Sequence, residues 1–205
     1  MTPLGSVLGT EGDIAALADR IRRSTVEVRQ GARGHGAGIA WGEDLVVTNA
    51  HVATADRLAV VRPDGHGING RLLLRDSHRD LALVQVPRLE LTPVTLGRAD
   101  RLKPGMLAFA LGHPLGVIGA LSVGIVHAVG SAPALLLDRN DPPLRWLQLD
   151  LEVAPGNSGG PVLDAAGTVV GITTMIAAGL TLAVPGEEAL RWATRRLEEW
   201  RRSAS

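Results

Sequence analysis

Apolar positions in this chain fall into three patterns. Residues 1–10 show no period and predict a loose tail. Ile14, Leu17, Ala18 and Ile21 then recur at helical spacing, which predicts a short amphipathic helix over about 11–23 with Thr10 as its cap. After Ser24 the apolar residues gather into short runs: Thr25 to Arg29, Ile39 to Trp41 behind a glycine-rich stretch from Gly31 to Gly38, Leu45 to Thr48, Leu58 to Val61, Gly70 to Leu74 and Leu81 to Val86. Turn residues separate them at Gly42-Glu43-Asp44, Pro63-Asp64-Gly65 and Asp76-Ser77-His78. That spacing predicts an all-β barrel or sandwich.

Leu89 to Lys103 is irregular and reads as a crossover. A second strand series follows at Met106 to Leu111, Leu121 to Val129, Leu135 to Leu137, Trp146 to Leu151, Pro161 to Leu163, Val169 to Met175 and Leu180 to Val184. Asp164-Ala165-Ala166-Gly167 signals a hairpin. Beyond Pro185-Gly186 the period becomes helical, with Leu190, Ala193, Leu197 and Trp200 on one face. The expected organisation is a tail and helix over 1–23, a first β unit over 24–95, and a second β unit with a closing helix over 96–205. No internal sequence repeat accompanies the two units.

Composition narrows the classes. The chain is 45% hydrophobic and 20% charged, and its 21 Lys and Arg balance 21 Asp and Glu. That is a globular balance, and nothing in it favours nucleic acid as a partner. With no cysteine there is no disulfide, thiolate metal site or cysteine nucleophile. Met1 to Asp13 has no basic and apolar leader pattern, which together with the missing cysteines gives a cytoplasmic expectation. The uncharged stretch from Val117 to Leu137 carries Gly119, Gly124, His127, Gly130 and Pro133, so it reads as two buried strands and a turn rather than a membrane span.

The stretch Ala154-Pro155-Gly156-Asn157-Ser158-Gly159-Gly160-Pro161 crowds three glycines around one serine. Glycine permits positive φ and close backbone approach, so such a loop can present a hydroxyl while aiming N–H groups at one point. Acyl transfer needs that pairing of nucleophile and oxyanion donors, although a plain turn uses the same residue types. A serine needs a base, and His51 is the best candidate, because it follows the strand Leu45 to Thr48 at a strand end. His35 and His66 lie in glycine-rich turns, His78 in a polar loop, and His127 in an apolar strand that suggests a core histidine. An acid should orient the base. Asp80, which introduces the strand Leu81 to Val84, suits a partly buried role, whereas Asp76 sits in what reads as an exposed turn. No metal-ligand spacing occurs among the histidines, and no cofactor is implied.

Thr48-Asn49-Ala50-His51-Val52, Asp80-Leu81-Ala82-Leu83 and Gly156-Asn157-Ser158-Gly159-Gly160-Pro161 occur in the order His, Asp, Ser. In this the chain resembles the protease domain of the HtrA (Deg) serine proteases. The likeness extends through Met106 to Gly116, Ser122 to Val126, Gly171 to Thr174 and Leu182 to Pro185. The resemblance implies two perpendicular six-stranded antiparallel β-barrels with the site in the cleft between them. It assigns His51, Asp80 and Ser158 as catalytic and the N–H groups of Gly156 and Ser158 as the oxyanion hole. It also implies that an extended polypeptide substrate pairs with the strand at Thr173, Thr174, Met175 and Ile176, with Val153 and Ile176 walling the pocket for the residue before the cut. Several features depart from the family pattern. No PDZ domain is expected after the closing helix, the loop around Gly31 to Gly36 reads as short, and His113 replaces a usual asparagine. Family trimers often use aromatic residues near the N-terminus, and this chain has no tyrosine and one phenylalanine, so monomer and trimer both stay open.

The function expected is a serine endopeptidase acting on unfolded or flexible polypeptide in protein quality control. The alternative is a peptide-binding holdase or pseudoprotease with little turnover. Glu152 adds a question of specificity. Strand alternation through Leu149 to Val153 puts Val153 inward and Glu152 outward, giving an apolar pocket for aliphatic residues, whereas Glu152 at the pocket base would select Lys or Arg.

Overall fold

A computed structural model describes residues 11–31, 34–131 and 144–203. The tail over 1–10, its Thr10 cap and the strand expected at Leu135 to Leu137 lie outside them. Helix α1 runs Glu11–Arg22. Six strands follow: β1 Thr25–Gln30, β2 Gly34–Gly42, β3 Leu45–Thr48, β4 Arg57–Val61, β5 Gly67–Asp76 and β6 Leu81–Gln85. After the crossover come β7 Leu107–Gly112, β8 Ala120–Ser131, β9 Arg145–Asp150, β10 Pro161–Leu163, β11 Val169–Ala177 and β12 Leu180–Pro185, then helix α2 Gly186–Ser203.

The strands form two closed six-stranded antiparallel barrels. The first is ordered β1-β2-β3-β6-β5-β4 and the second β7-β8-β9-β12-β11-β10, so one topology is used twice without a sequence repeat. β1 closes the first barrel on β4 with Val28 opposite Val60, and β7 closes the second on β10 with Ala110 opposite Val162.

Burial explains why some strands read as unbroken apolar runs. In β3 and β6, Val46, Ala82 and Val84 fill the inside of the first barrel. Their neighbours Val47, Leu81 and Leu83 point the other way, into a cluster that also holds Phe109, Leu111, Leu163, Ile172 and Leu182 of the second barrel. Both faces are covered, so alternation disappears. Strand β4, with one face in water, alternates between exposed and buried residues. The shared cluster also takes Leu17 and Ile21 of α1 and Trp192 and Ala193 of α2.

Three expectations are corrected. The glycine-rich stretch is largely strand, because β2 starts at Gly34. A side chain at Gly38 would meet Val46 Cγ1 at 2.5 Å, so the bare backbone there lets β2 lie close over β3. The described part of the stretch from Val117, up to Ser131, is not a buried strand. β8 is one strand of twelve residues whose single fully buried position is Val126, while Val123 and Ile125 stand in solvent. The buried face of α2 is Ala189, Trp192 and Ala193 with Leu197 beside it, and Leu190 lies outside it.

Candidate functional site

β3 ends at Thr48, and the chain turns at once through Asn49 and Ala50 to His51. Val52 and Ala53 both donate to Asn49 O, which fixes this turn. His51 Nδ1 lies 2.7 Å from Asp80 Oδ2, and its backbone N–H donates to Asp80 Oδ1 at 2.9 Å. The two bonds fix the imidazole to the carboxylate and give Nδ1 the proton, leaving Nε2 as the acceptor. Asp80 is buried while the His51 ring is half exposed. Asp80 has φ of 53°, a conformation that Asp and Asn tolerate better than most residues. Asp76 does something else. It accepts from the N–H groups of His78 and Arg79 and from the Arg79 guanidinium at 3.0 Å, so it caps the turn leading to Asp80. Burial pushes its carboxyl upward, but these donors outweigh burial and hold it below the ordinary range.

Ser158 is carried by the loop between β9 and β10. Gly156 has φ of 109°, and a Cβ there would fall 2.3 Å from His113 O. Gly159 has φ of 86°, and its Cβ would fall 2.1 Å from Ala37 O. Only glycine fits either place. The loop is fastened on all sides. His113 N donates to Gly156 O, Ala37 N to Ser158 O, Gly159 N to Thr173 O and Thr173 N to Gly160 O. Pro155 O accepts from Leu115 N at 3.2 Å. Among the described residues no acceptor takes the N–H of Gly156 or of Ser158.

The Ser158 hydroxyl donates to Thr174 O at 3.1 Å. His51, Asp80 and Ser158 line one open cleft of about 590 Å³. Val153, Thr173, Thr174, Met175 and Ile176 line it too, so the structure gathers these sequence-derived candidates in one place, while Gly156 lies just behind the surface. Thr173 has its N–H and C=O engaged by Gly160 and Gly159. β10 pairs with β11 no farther than Ile172, so on that side the open edge of β11 starts at Thr174. Glu152 is exposed and outside the cleft lining, whereas Val153 is half buried within it.

One histidine departs from its sequence context and another becomes prominent. His127 stands on the exposed side of β8, and His113 is buried. Gly119 N donates to His113 Nδ1 at 3.2 Å, and burial pulls the imidazole pKa down against the opposing pull of Glu27. Glu27 is itself buried, which raises its pKa, but hydrogen bonds from Arg29 and His35 outweigh that and leave it lowered. Sequence reading passed over Asn49, whose side chain reaches both Asp80 and Thr174 (2.9 and 3.2 Å). Its only local signal is its place two residues before His51.

Residues 36–172 match the family model of the trypsin-like peptidase domain. The chain belongs to that family. Within it, the peptidase domain is of the HtrA/Deg type. HhoB of Synechocystis sp. is 39% identical over 162 residues, covering 77% of this chain and 39% of HhoB. Serine protease HTRA1 of Xenopus laevis is 36% identical over 157 residues, covering 75% of this chain and 34% of that protein. The peptidase domain thus spans well under half the length of these relatives. Among solved structures, the HtrA-type protease AlgW with a tripeptide superposes with a TM-score of 0.77 at 31% identity, over 86% of this chain and 61% of that one. AlgW with a decapeptide gives 0.78 at 26% identity, over 90% and 67%. Among the described residues no group of three His, Asp or Glu side chains could hold a metal, and no helix is long and apolar enough to cross a membrane.

Proposed function

We propose that this peptidase domain is a serine endopeptidase that hydrolyses peptide bonds in unfolded or flexible polypeptides, in the service of protein quality control. The doubly bonded His51–Asp80 couple, sharing one cleft with Ser158, carries the reading. The Ser158 hydroxyl leaves Thr174 O and turns to His51 Nε2, which takes its proton as Oγ bonds to the scissile carbonyl carbon. The N–H groups of Gly156 and Ser158, free of other acceptors, receive the oxyanion. His51 then passes the proton to the leaving amine, and water, activated by the same imidazole, releases the acyl group from Ser158. Asp80 stays ionised and stabilises the imidazolium.

The open edge of β11 from Thr174 to Ile176 suits an extended chain added as a further strand. Val153 and Ile176 make the pocket apolar, and exposed Glu152 stands away from it, which supports cleavage after Val, Ala or Ile. Solved HtrA-type relatives hold short peptides, in keeping with a polypeptide ligand. One observation favours the second reading, a peptide-binding holdase: the resting hydroxyl is on Thr174 O.

The test treats wild type and Ser158→Ala with a fluorophosphonate probe and with a denatured protein mixture, and maps cuts by mass spectrometry. Labelling of wild type alone, with cuts after aliphatic residues, supports the endopeptidase. Peptide binding with neither labelling nor cuts turns the assignment to the holdase, and dominant cuts after Lys and Arg overturn the aliphatic pocket.

A further inference from the structure

We infer that Asn49 is a positioning residue that holds the two halves of the site in register. The inference rests on the endopeptidase reading for its activity readout only. Asn49 is fully buried. Its single amide nitrogen donates to Asp80 O at 2.9 Å and to Thr174 Oγ1 at 3.2 Å. The first bond pins the carbonyl of a residue in left-handed backbone conformation, whose carboxylate grips His51. The second pins the strand residue whose own carbonyl receives the Ser158 hydroxyl. One side chain therefore joins the group that orients the base to the group that parks the nucleophile. These groups belong to different barrels, since Asp80 immediately precedes β6 and Thr174 lies within β11.

The seam between the barrels is otherwise chiefly apolar around this point, with Leu81, Leu83 and Ile172 fully buried. Apolar burial is strong but non-directional, so it holds the barrels together without fixing their offset. Directional bonds supply that offset: Ala37 N donates to Ser158 O at 2.7 Å, and the buried Asn49 amide makes the further link that reaches Asp80 and, through it, His51. A misplacement of about 1 Å between nucleophile and base can cost about 100-fold in rate. Asn49 is not among the residues lining the cleft, and acts through Asp80 and Thr174.

Asn49→Ala and Thr174→Val each remove the link from one end, and Thr174→Val keeps both side-chain size and backbone carbonyl. Each is expected to lower kcat by about 10–100-fold with KM within about twofold. The double variant is expected to lose no more than the worse single, because both remove one link. A turnover-free readout accompanies this: the proton NMR resonance of His51 Nδ1–H, held by Asp80. Thr174→Val is expected to shift it, although residue 174 lies in the other barrel, and to leave it unmoved when Asn49 is already Ala. Independent, multiplicative losses in kcat, or a resonance that Thr174→Val leaves unchanged with Asn49 present, would overturn the inference. Wild type without Ser158-dependent turnover would sink the endopeptidase reading instead, and the resonance would still decide the role of Asn49. If Asn49→Ala does not fold, Thr174→Val alone decides it by that resonance.

Discussion

Asp80 combines a backbone demand with a charge demand, and one substitution separates them. Asparagine tolerates the left-handed region as aspartate does, so Asp80→Asn keeps the turn at φ of 53°. It replaces a carboxylate that accepts from both the backbone and the ring of His51 by an amide that can donate to Nδ1 and reverse the tautomer. The expected result is a kcat lower by about 10⁴-fold with an unchanged circular dichroism spectrum. Asp76→Asn keeps one acceptor for the turn N–H groups and is expected to hold activity within a few-fold. A cripplingly slow Asp76→Asn beside an active Asp80→Asn would reverse the choice of acid. At this scale the sequence was readable where chemistry is local. His51, Asp80 and Ser158 could be singled out as candidates because short motifs carry them in the order His, Asp, Ser. Asn49 could not, since its partner Thr174 is 125 residues away and an amide in a turn carries no signal of its own.

The segment from His113 to Gly119 acts as a clamp on the Ser158 loop. His113 N holds Gly156 O, Leu115 N holds Pro155 O, and the buried imidazole receives Gly119 N. That imidazole has a lowered pKa because burial opposes its charge. Between the folded value and the unfolded value, about 6.5, the unfolded chain binds more protons, so stability rises with pH there. The contribution is complete above the unfolded value and is lost as pH falls through the folded one. Melting temperature in wild type is therefore expected to drop between pH 7 and pH 5 more steeply than in His113→Asn, measured by thermal scans at fixed ionic strength. Equal slopes in the two proteins would remove His113 from this role. Elements were legible in type and order, and less so in their faces. β8 reads as buried because Val123 and Ile125 are apolar, yet both face water. Hydrophobic composition marks a strand without saying which side is covered. The buried stripe of α2 was misplaced by a similar ambiguity, since Leu190 competes with Trp192 in any apolar period.

Across the whole molecule, one apolar cluster unites α1, α2 and the facing sides of both barrels. Removing Trp192 should loosen all of them together. Trp192→Ala is expected to cost about 3 kcal/mol, at the low end for a buried tryptophan, because its Nε1–H has no acceptor among the described residues and its loss relieves a buried donor. In a background where Trp146 and Trp200 are Phe, so that in the variant Trp41 reports the first barrel alone, urea unfolding followed by far-ultraviolet circular dichroism and by that fluorescence should shift by the same amount. A first barrel that keeps its midpoint would show the two barrels to be independent units. The two series of short apolar runs announced two β units, while the two six-stranded barrels were implied by the family resemblance, and neither revealed the seam itself. What covers the second face depends on contacts between residues as far apart as Val47 and Leu182, and no local pattern encodes those.

That seam also bears on how the protein is made. When synthesis has passed Gln85, all six strands of the first barrel exist and β1 has β4 to close upon. Val47, Leu81 and Leu83 then lie on an outer wall that lacks its partners from the second barrel until β7 to β12 have been translated. A nascent chain paused at that length is a sticky object, and a natural client for a chaperone. The triad we propose is also incomplete at that length, because His51 and Asp80 are made before Ser158. On that reading, the half of the protein made first carries no peptidase activity of its own.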